Sequence, residues 1–289
     1  MRLGYSTNSL GDIPPLDALP ILRDLGYGSI AITLDHHLLN PFAGSLPAEL
    51  DLWRKALAAD GMACVIETGG RHLLDPVRKH EPTLVSADPA GRERRVELLT
   101  RAIDVAAALG AGCVSLWSGR VHDAADEETA WRRLVAGLAP VIDHAAGRGV
   151  PIGFEPEPGM FIDTLERYGR LLERFGRTGA PGLTVDIGHM ECMGERPAAD
   201  ILRPWADRIV NVHVDDMLAC RHEHLPLGAG DVEFGPILDT IAAAGYTGGL
   251  HVELPRQSHE WLATARQSAA ALGAAVRRAA ARTPEESPP

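Results

Sequence analysis

Leu183-Thr184-Val185-Asp186-Ile187-Gly188-His189 reads as a short apolar strand that closes on a carboxylate, turns at a glycine and presents a histidine one turn later. Asp186 and His189 are expected together at the mouth of whatever the strand opens into. Taken alone, an Asp-x-x-His after a strand serves a helix cap as well as it serves a metal. Three more apolar runs close the same way. Ile152-Gly153-Phe154-Glu155 ends on Glu155, Ile209-Val210-Asn211-Val212-His213 on His213, and Gly249-Leu250-His251-Val252-Glu253 on Glu253. Successive strands that each end on a metal-competent side chain require a fold that gathers strand ends in one place.

The rest of the chain supplies such a fold. Apolar runs predict earlier strands over 3–6, 29–34, 62–67 and 112–117, and later ones over 150–155, 182–186, 209–214 and 249–253. Apolar residues at helical spacing predict helices over 16–25, 47–60, 91–109, 127–147, 162–174, 198–206, 234–244 and 260–276. Pro47 suits a first turn, and Gly26, Gly61 and Gly110 suit stops. Short apolar strands alternating with amphipathic helices imply a parallel sheet with helices outside. The repeat occurs eight times, which implies a closed (β/α)8 TIM barrel of the α/β class. No GxGxxG follows the first strand, which counts against a dinucleotide fold. No linker divides the chain, so residues 1–276 are expected to form a single domain. From Arg277 the sequence RRAAARTPEESPP loses apolar periodicity, and 277–289 is expected to be a disordered tail. Two long stretches, 68–89 and 215–231, lack periodicity and are expected as loops; the first is long enough to be functional or a lid.

A chain of 289 residues that is 45% hydrophobic can bury one large core. Its net charge of −11 argues against a nucleic-acid partner, which would need a basic face. Cys64, Cys113, Cys192 and Cys220 are scattered without CxxC spacing, so neither a disulfide framework nor a zinc knuckle is expected. Reduced thiols and the absence of an apolar leader after Met1 lead us to expect a cytoplasmic protein. No apolar run approaches the roughly 20 residues of a membrane span, so no membrane partner is expected.

In a barrel all strands end at one face, where the βα loops build the site. Glu155, Asp186, His213 and Glu253 would converge there. Carboxylates held that close repel one another unless a cation sits between them. Oxygen and imidazole donors without thiolate suit one divalent metal. We expect manganese first, since three carboxylates and one imidazole make a fairly hard site, with cobalt, magnesium or zinc also compatible. The alternative is that each is a polar residue capping a neighbouring helix.

At these residues the chain resembles the xylose-isomerase-like TIM-barrel superfamily, and within it the sugar-phosphate isomerase/epimerase group that includes D-tagatose 3-epimerase, hydroxypyruvate isomerase and inosose dehydratase. The resemblance runs to about residue 275. It is carried by Phe154-Glu155-Pro156, Val185-Asp186-Ile187-Gly188-His189, His213-Val214-Asp215-Asp216, His224-Leu225-Pro226-Leu227-Gly228-Ala229-Gly230-Asp231 and His251-Val252-Glu253. It implies that Glu155, Asp186, His213 and Glu253 bind one divalent metal, that Glu155 and Glu253 double as the acid/base pair, and that His189 and Arg221 bind substrate. A more distant resemblance is to endonuclease IV. Cys220-Arg221-His222-Glu223 is similar to its Asp-Arg-His-Glu stretch, with Cys in place of one ligand, and leaves His222 as a candidate ligand or substrate contact. The third and fourth strands end on Glu67 and Trp117 rather than histidine, so the ligands for the endonuclease's first metal are missing.

The chemistry implied is proton abstraction beside a carbonyl, through an enediolate. Returning the proton to the opposite face is epimerisation, and to the neighbouring carbon is isomerisation. Loss of a β-hydroxide is dehydration, the lyase alternative. A nuclease, or a barrel that binds sugar and metal without catalysis, is the remaining reading. The expected partner is a small sugar-like molecule; a homo-oligomer is compatible. Among further residues, His36 ends the second strand and is a candidate pocket residue, Glu67 a candidate for substrate hydroxyls, Trp117 for stacking on a sugar, and His224 for ordering the following turn or binding substrate. Arg71, His72, Arg78 and Lys79 are a candidate set for an anionic group, or else a solvated charge run.

Overall fold

The computed structural model describes residues 1–176 and 178–282, with side chains as far as residue 277. In chain order the regular elements are β1 (Arg2–Ser6), α1 (Pro15–Asp24), β2 (Ser29–Thr33), α2 (Leu46–Asp60), β3 (Ala63–Glu67), α3 (Pro89–Leu109), β4 (Val114–Leu116), α4 (Glu127–Arg148), β5 (Ile152–Phe154) and α5 (Leu165–Phe175). They continue with β6 (Gly182–Asp186), α6 (Ile187–Cys192), α7 (Ala198–Leu202), β7 (Ile209–Val214), β8 (Asp216–Leu218), β9 (Arg221–Leu225), α8 (Phe234–Ala243), β10 (Gly249–Val252) and α9 (Trp261–Arg282). Eight parallel strands close a barrel in the order β1-β2-β3-β4-β5-β6-β7-β10, with β10 pairing back onto β1. This is the (β/α)8 TIM barrel that the strand–helix rhythm predicts.

Local chemistry sets the ends of the helices. The Asp88, Asp126 and Thr164 side chains accept backbone N–H groups of the first turns of α3, α4 and α5. Gly110 ends α3 at φ 65°, a conformation that a Cβ penalises. The helices bury one face against the barrel. A single apolar cluster fills the ring between strands and helices, with Leu19, Ile30, Leu99, Trp131, Tyr168 and Leu250 all buried. A second, small cluster of Ala31, Val65 and Cys113 packs with Val210 inside the barrel.

One irregularity matters for the site. Between β6 and β7 the pairing steps from Leu183↔Ile209 to Thr184↔Asn211, so β7 carries one extra residue there, Val210. Such a bulge resets the alternation of side chains. Val210 joins the inner apolar cluster, and Asn211 and His213 beyond it also turn inward.

The structure departs from the sequence reading in four places. Gly188 is not a turn: the chain passes from Asp186 straight into α6. The predicted helix over 198–206 stops at Leu202 and continues as a 3-10 turn from Arg203 to Arg208, which contains Pro204. The expected loop over 215–231 contains the β8–β9 hairpin. Lastly α9 runs on to Arg282, so the expected tail is helical at its start; 283–289 lie outside the described residues.

Candidate metal centre and active site

The ends of β5, β6, β7 and β10 meet around the imidazole of His213. Its Nδ1 lies 3.0 Å from Glu155 Oε1, 3.3 Å from Glu253 Oε2 and 3.9 Å from Asp186 Oδ2. Donor atoms of Glu155, Asp186 and His213 all fall within 4.8 Å of one another. All three residues are buried, and Glu253 is nearly so. Asp186 divides its carboxylate between two tasks. Oδ1 caps α6 by accepting the His189 N–H at 2.9 Å, while Oδ2 is buried with no hydrogen-bond partner. An ionised oxygen buried without a partner is costly unless a cation completes it. Three carboxylates and one imidazole, with that orphaned oxygen among them, fit one hard divalent cation.

The charges say the same. Burial pulls His213 down, but Glu67, Glu155 and Glu253 outweigh it and hold the imidazole well above its usual pKa. Burial pushes Glu155 up to about 7 against the pull of His213. Burial also acts to raise Glu253, but His213, His224 and a hydrogen bond from Asn8 leave it below the usual range. Asp186 is likewise desolvated, yet His189, His224 and His213 bring it down to about 2. An imidazolium at His213 thus supplies the positive charge the carboxylates demand, and a cation among them would supply it instead.

Behind the donors runs a buried polar ladder. Glu67 Oε1 lies 2.9 Å from His213 Nε2 and accepts the Asn211 amide at 2.9 Å. The other end of that amide, Asn211 Oδ1, lies 2.9 Å from His251 Nδ1, whose Nε2 is 2.8 Å from Ser29 Oγ. With the Asn211 amide donating to Glu67, its oxygen must accept from His251, so His251 is neutral with its proton on Nδ1; burial holds its pKa near 3. Glu67 in turn fixes the proton of His213 on Nε2 and frees Nδ1 for a metal.

His189 closes one side of the site. Burial depresses its pKa to about 3. Its Nδ1 lies 3.3 Å from the Pro156 carbonyl and its Nε2 3.2 Å from His222 Nε2. The ring of His189 meets those of His222 and His224 edge to face, and nitrogens of all three lie within 4.8 Å of each other. His224 pairs through Nδ1 with the buried Asp215 carboxylate. Gly188 is needed here, because a Cβ at that position would overlap Asp215. The turn after His224 is ordered by Asp216 rather than by His224: its carboxylate accepts the Gly228 and Val232 N–H groups at 2.8 and 3.0 Å.

A cavity of about 410 Å³ opens over these groups. Of the candidates named from sequence, Glu155, His213, Glu253, His189, His222, His224, Glu67 and Trp117 line it, and Asp186 lies just beneath. Trp117 is sandwiched by protein, with the Arg95 guanidinium 4.6 Å from its ring and His80 edge-on at 5.3 Å. Arg71 and Lys79 line it too, whereas His72, Arg78, His36 and Arg221 do not. His36 is exposed and bonds the His72 carbonyl at 3.1 Å. Arg221 is exposed on β9 and pairs with Glu223 at 2.7 Å.

The sequence reading passed over Asn8, Glu157, Asn211 and His251. Asn8 donates to Glu253 Oε1 at 2.9 Å. Glu157 lines the cavity, and burial together with Glu155 and Glu253 raises its pKa to about 8. The available signal was the period of two: Asn211 shares a strand face with His213, and His251 with Glu253.

Residues 19–275 match the family of xylose isomerase-like TIM barrels, and the chain belongs to it. Its relatives include a candidate sugar epimerase and inosose dehydratases. A protein of Escherichia coli K12 named as a candidate L-ribulose-5-phosphate 3-epimerase, SgbU, is 26% identical over 263 residues, covering 88% of each chain. An inosose dehydratase of Lacticaseibacillus casei is 28% identical over 156 residues, covering 48% of this chain and 51% of its own. Among solved structures, an L-ribulose 3-epimerase superposes with a TM-score of 0.75 over 99% of both chains at 21% identity. A D-tagatose 3-epimerase-like protein does so with 0.77 over 96% of this chain and 99% of its own, at 18% identity. At those identities the superpositions speak for the fold.

Proposed function

We propose that this protein is a divalent-metal-dependent isomerase or epimerase of a sugar-like hydroxy-carbonyl compound. The observation that carries the reading is the convergence of Glu155 and Glu253 on His213 Nδ1, beneath a cavity of about 410 Å³, beside the orphaned Asp186 oxygen. Glu155, Asp186, His213 and Glu253 would hold a divalent cation, which would supply Lewis acidity beside the substrate carbonyl. Glu155 and Glu253, from β5 and β10, then trade a proton with the carbon between them. Asn8 fixes Glu253 by donating to its Oε1 at 2.9 Å. If one glutamate takes the proton and the other returns it to the opposite face, the product is the epimer. His189, held by the Pro156 carbonyl, and His222 offer imidazoles to substrate hydroxyls. Manganese suits the oxygen-rich donor set best.

A second reading is dehydration. The match to inosose dehydratases favours it, and so does Glu157, a carboxyl that burial keeps protonated up to about pH 8 and that could protonate a departing hydroxide. The test is elemental analysis of the purified chain and of Glu155→Gln and Asp186→Asn, followed by a screen of ketoses and keto-inositols for uptake of solvent deuterium. One divalent ion per chain, lost in both variants, with exchange at carbon, is the expected result. A wild type that takes up no Mn²⁺, Co²⁺ or Zn²⁺ overturns the proposal. Product mass separates the two readings, since only dehydration loses water.

A further inference from the structure

We propose that the cavity mouth carries an oxyanion subsite formed by Arg71 and Lys79, so that the substrate bears a phosphate or carboxylate remote from its carbonyl. This rests on the hydroxy-carbonyl reading above and narrows its substrate class. Arg71, Lys79 and Arg256 line the same cavity as Glu155, His213 and Glu253. Arg78, in the same loop, is instead tied to Asp75 at 2.8 Å. Arg256 and Arg221 share the single carboxylate of Glu223, each at 2.7 Å, which leaves that group with one positive charge in excess. Neither Arg71 nor Lys79 has a carboxylate partner among the described residues, although the chain has a net charge of −11.

The loop that presents these cations is built rather than loose. Arg95 of α3 is 4% exposed, and its guanidinium reaches the carbonyls of Pro82, His80 and Thr68 at 3.0, 2.8 and 3.4 Å. Desolvation brings its pKa down to about 10, so it stays charged while buried. A backbone bond from His80 N–H to Arg71 O at 2.6 Å holds the two rim segments together. Arg95 also lies over Trp117, which anchors the loop to the end of β4. A buried arginine spent on three carbonyls of one surface loop fixes the place of Arg71 and Lys79 over the cavity. The resulting field is polar along the cavity axis, with carboxylates at the floor and cations at the rim. A substrate with a terminal oxyanion can enter in one orientation only, carbonyl down.

The experiment is calorimetric titration of the Mn²⁺-loaded full chain with matched probes: L-ribulose 5-phosphate against L-ribulose, and D-fructose 6-phosphate and D-fructuronate against D-fructose. Deuterium uptake at carbon is followed in parallel. In at least one set the anionic probe is expected to bind about tenfold or more tighter than its neutral partner. The preference should fall as salt rises and collapse in the Arg71→Gln/Lys79→Gln double variant, with metal content unchanged. It should survive in Arg78→Gln. The phosphate and carboxylate arms show which oxyanion the rim takes. Neutral probes that bind or exchange as well as charged ones, or a preference that survives the double variant, overturn the subsite and leave the hydroxy-carbonyl reading standing. A metal-loaded chain that binds and exchanges none of the probes overturns the subsite for these substrates, and a chain that takes no metal brings down both readings together.

Discussion

The ring between strands and helices and the interior of the barrel are built from the same strands, yet their chemistry is opposite. The ring is a continuous apolar layer. Among the described residues the interior has a small apolar cluster at Ala31, Val65, Cys113 and Val210 and is otherwise rich in buried polar groups: Ser29, Glu67, Ser115, Thr184, Asn211, His213 and His251. Alternation along each strand separates the two, one residue outward and the next inward. The ring stabilises the fold by removing apolar surface from water. Polar groups in the interior need partners inside the barrel; the ladder from Glu67 to Ser29 supplies them for His213, Asn211 and His251, while Asp186 Oδ2 is left without one. Stability therefore rests mainly on the ring, and function on the interior.

That division can be broken from either side. The largest effect is expected from Trp131→Ala, which empties a buried position of the ring: a loss of about 3–5 kcal/mol in denaturant unfolding, with metal stoichiometry unchanged in the fraction that folds. A variant that loses metal binding in proportion to stability would show that ring and interior are not separable. Asp186→Asn should do the reverse. The amide can still cap α6 through its oxygen, so the fold should persist while metal content falls to background by elemental analysis.

Glu67→Gln probes the ladder rather than the donors. It removes the carboxylate that holds the His213 proton, and metal affinity should weaken by about 10–100-fold, read by competition with a chelating dye. Unchanged affinity would mean that Glu67 does not set the proton of the imidazole.

The smallest effect is that of pH on the metal-free protein. Glu155, Glu157 and Glu195 have folded pKa values of about 7, 8 and 7, raised above the ordinary value of 4.5, chiefly by burial. Their contribution to stability is complete below pH 4.5 and disappears as pH rises through 7 to 8. The depressed imidazoles of His80, His189 and His251 act in the opposite sense up to about pH 6.5, so the Tm of the chelator-treated protein should fall between about pH 6.5 and 8. Added Mn²⁺ should restore most at the upper end, where Glu155 is ionised and free to bind. A Tm that stays flat across this range would place these carboxyls in a wetter setting than the cavity floor.

The ring was far more legible in sequence than the interior. Helical spacing of apolar residues and short apolar runs gave the barrel, its order of elements and most boundaries to within a few residues. They failed at Pro204 and in the β8–β9 hairpin, where polar residues are ordered by Asp216 and not by an apolar face. The four strand-end residues were legible because a barrel sends all strand ends to one face. Their neighbours were not: Asn211 and His251 meet from the adjacent strands β7 and β10, far apart in the chain, and the bulge at Val210 that aims Asn211 leaves no mark in composition.

The sequence by itself determined the alternation of elements, the convergence of the strand-end residues Glu155, Asp186, His213 and Glu253, and the negative charge that disfavours nucleic acid. It could do so because periodicity and strand polarity are local properties. Only the tertiary structure decided that Glu67 faces His213 and that Arg95 fixes the rim loop. It alone placed His36 and Arg221 outside the cavity and Arg71 and Lys79 on it. Those outcomes depend on which side chains from distant strands and loops come within about 3 Å, a distance set by barrel closure and by no pattern along the chain.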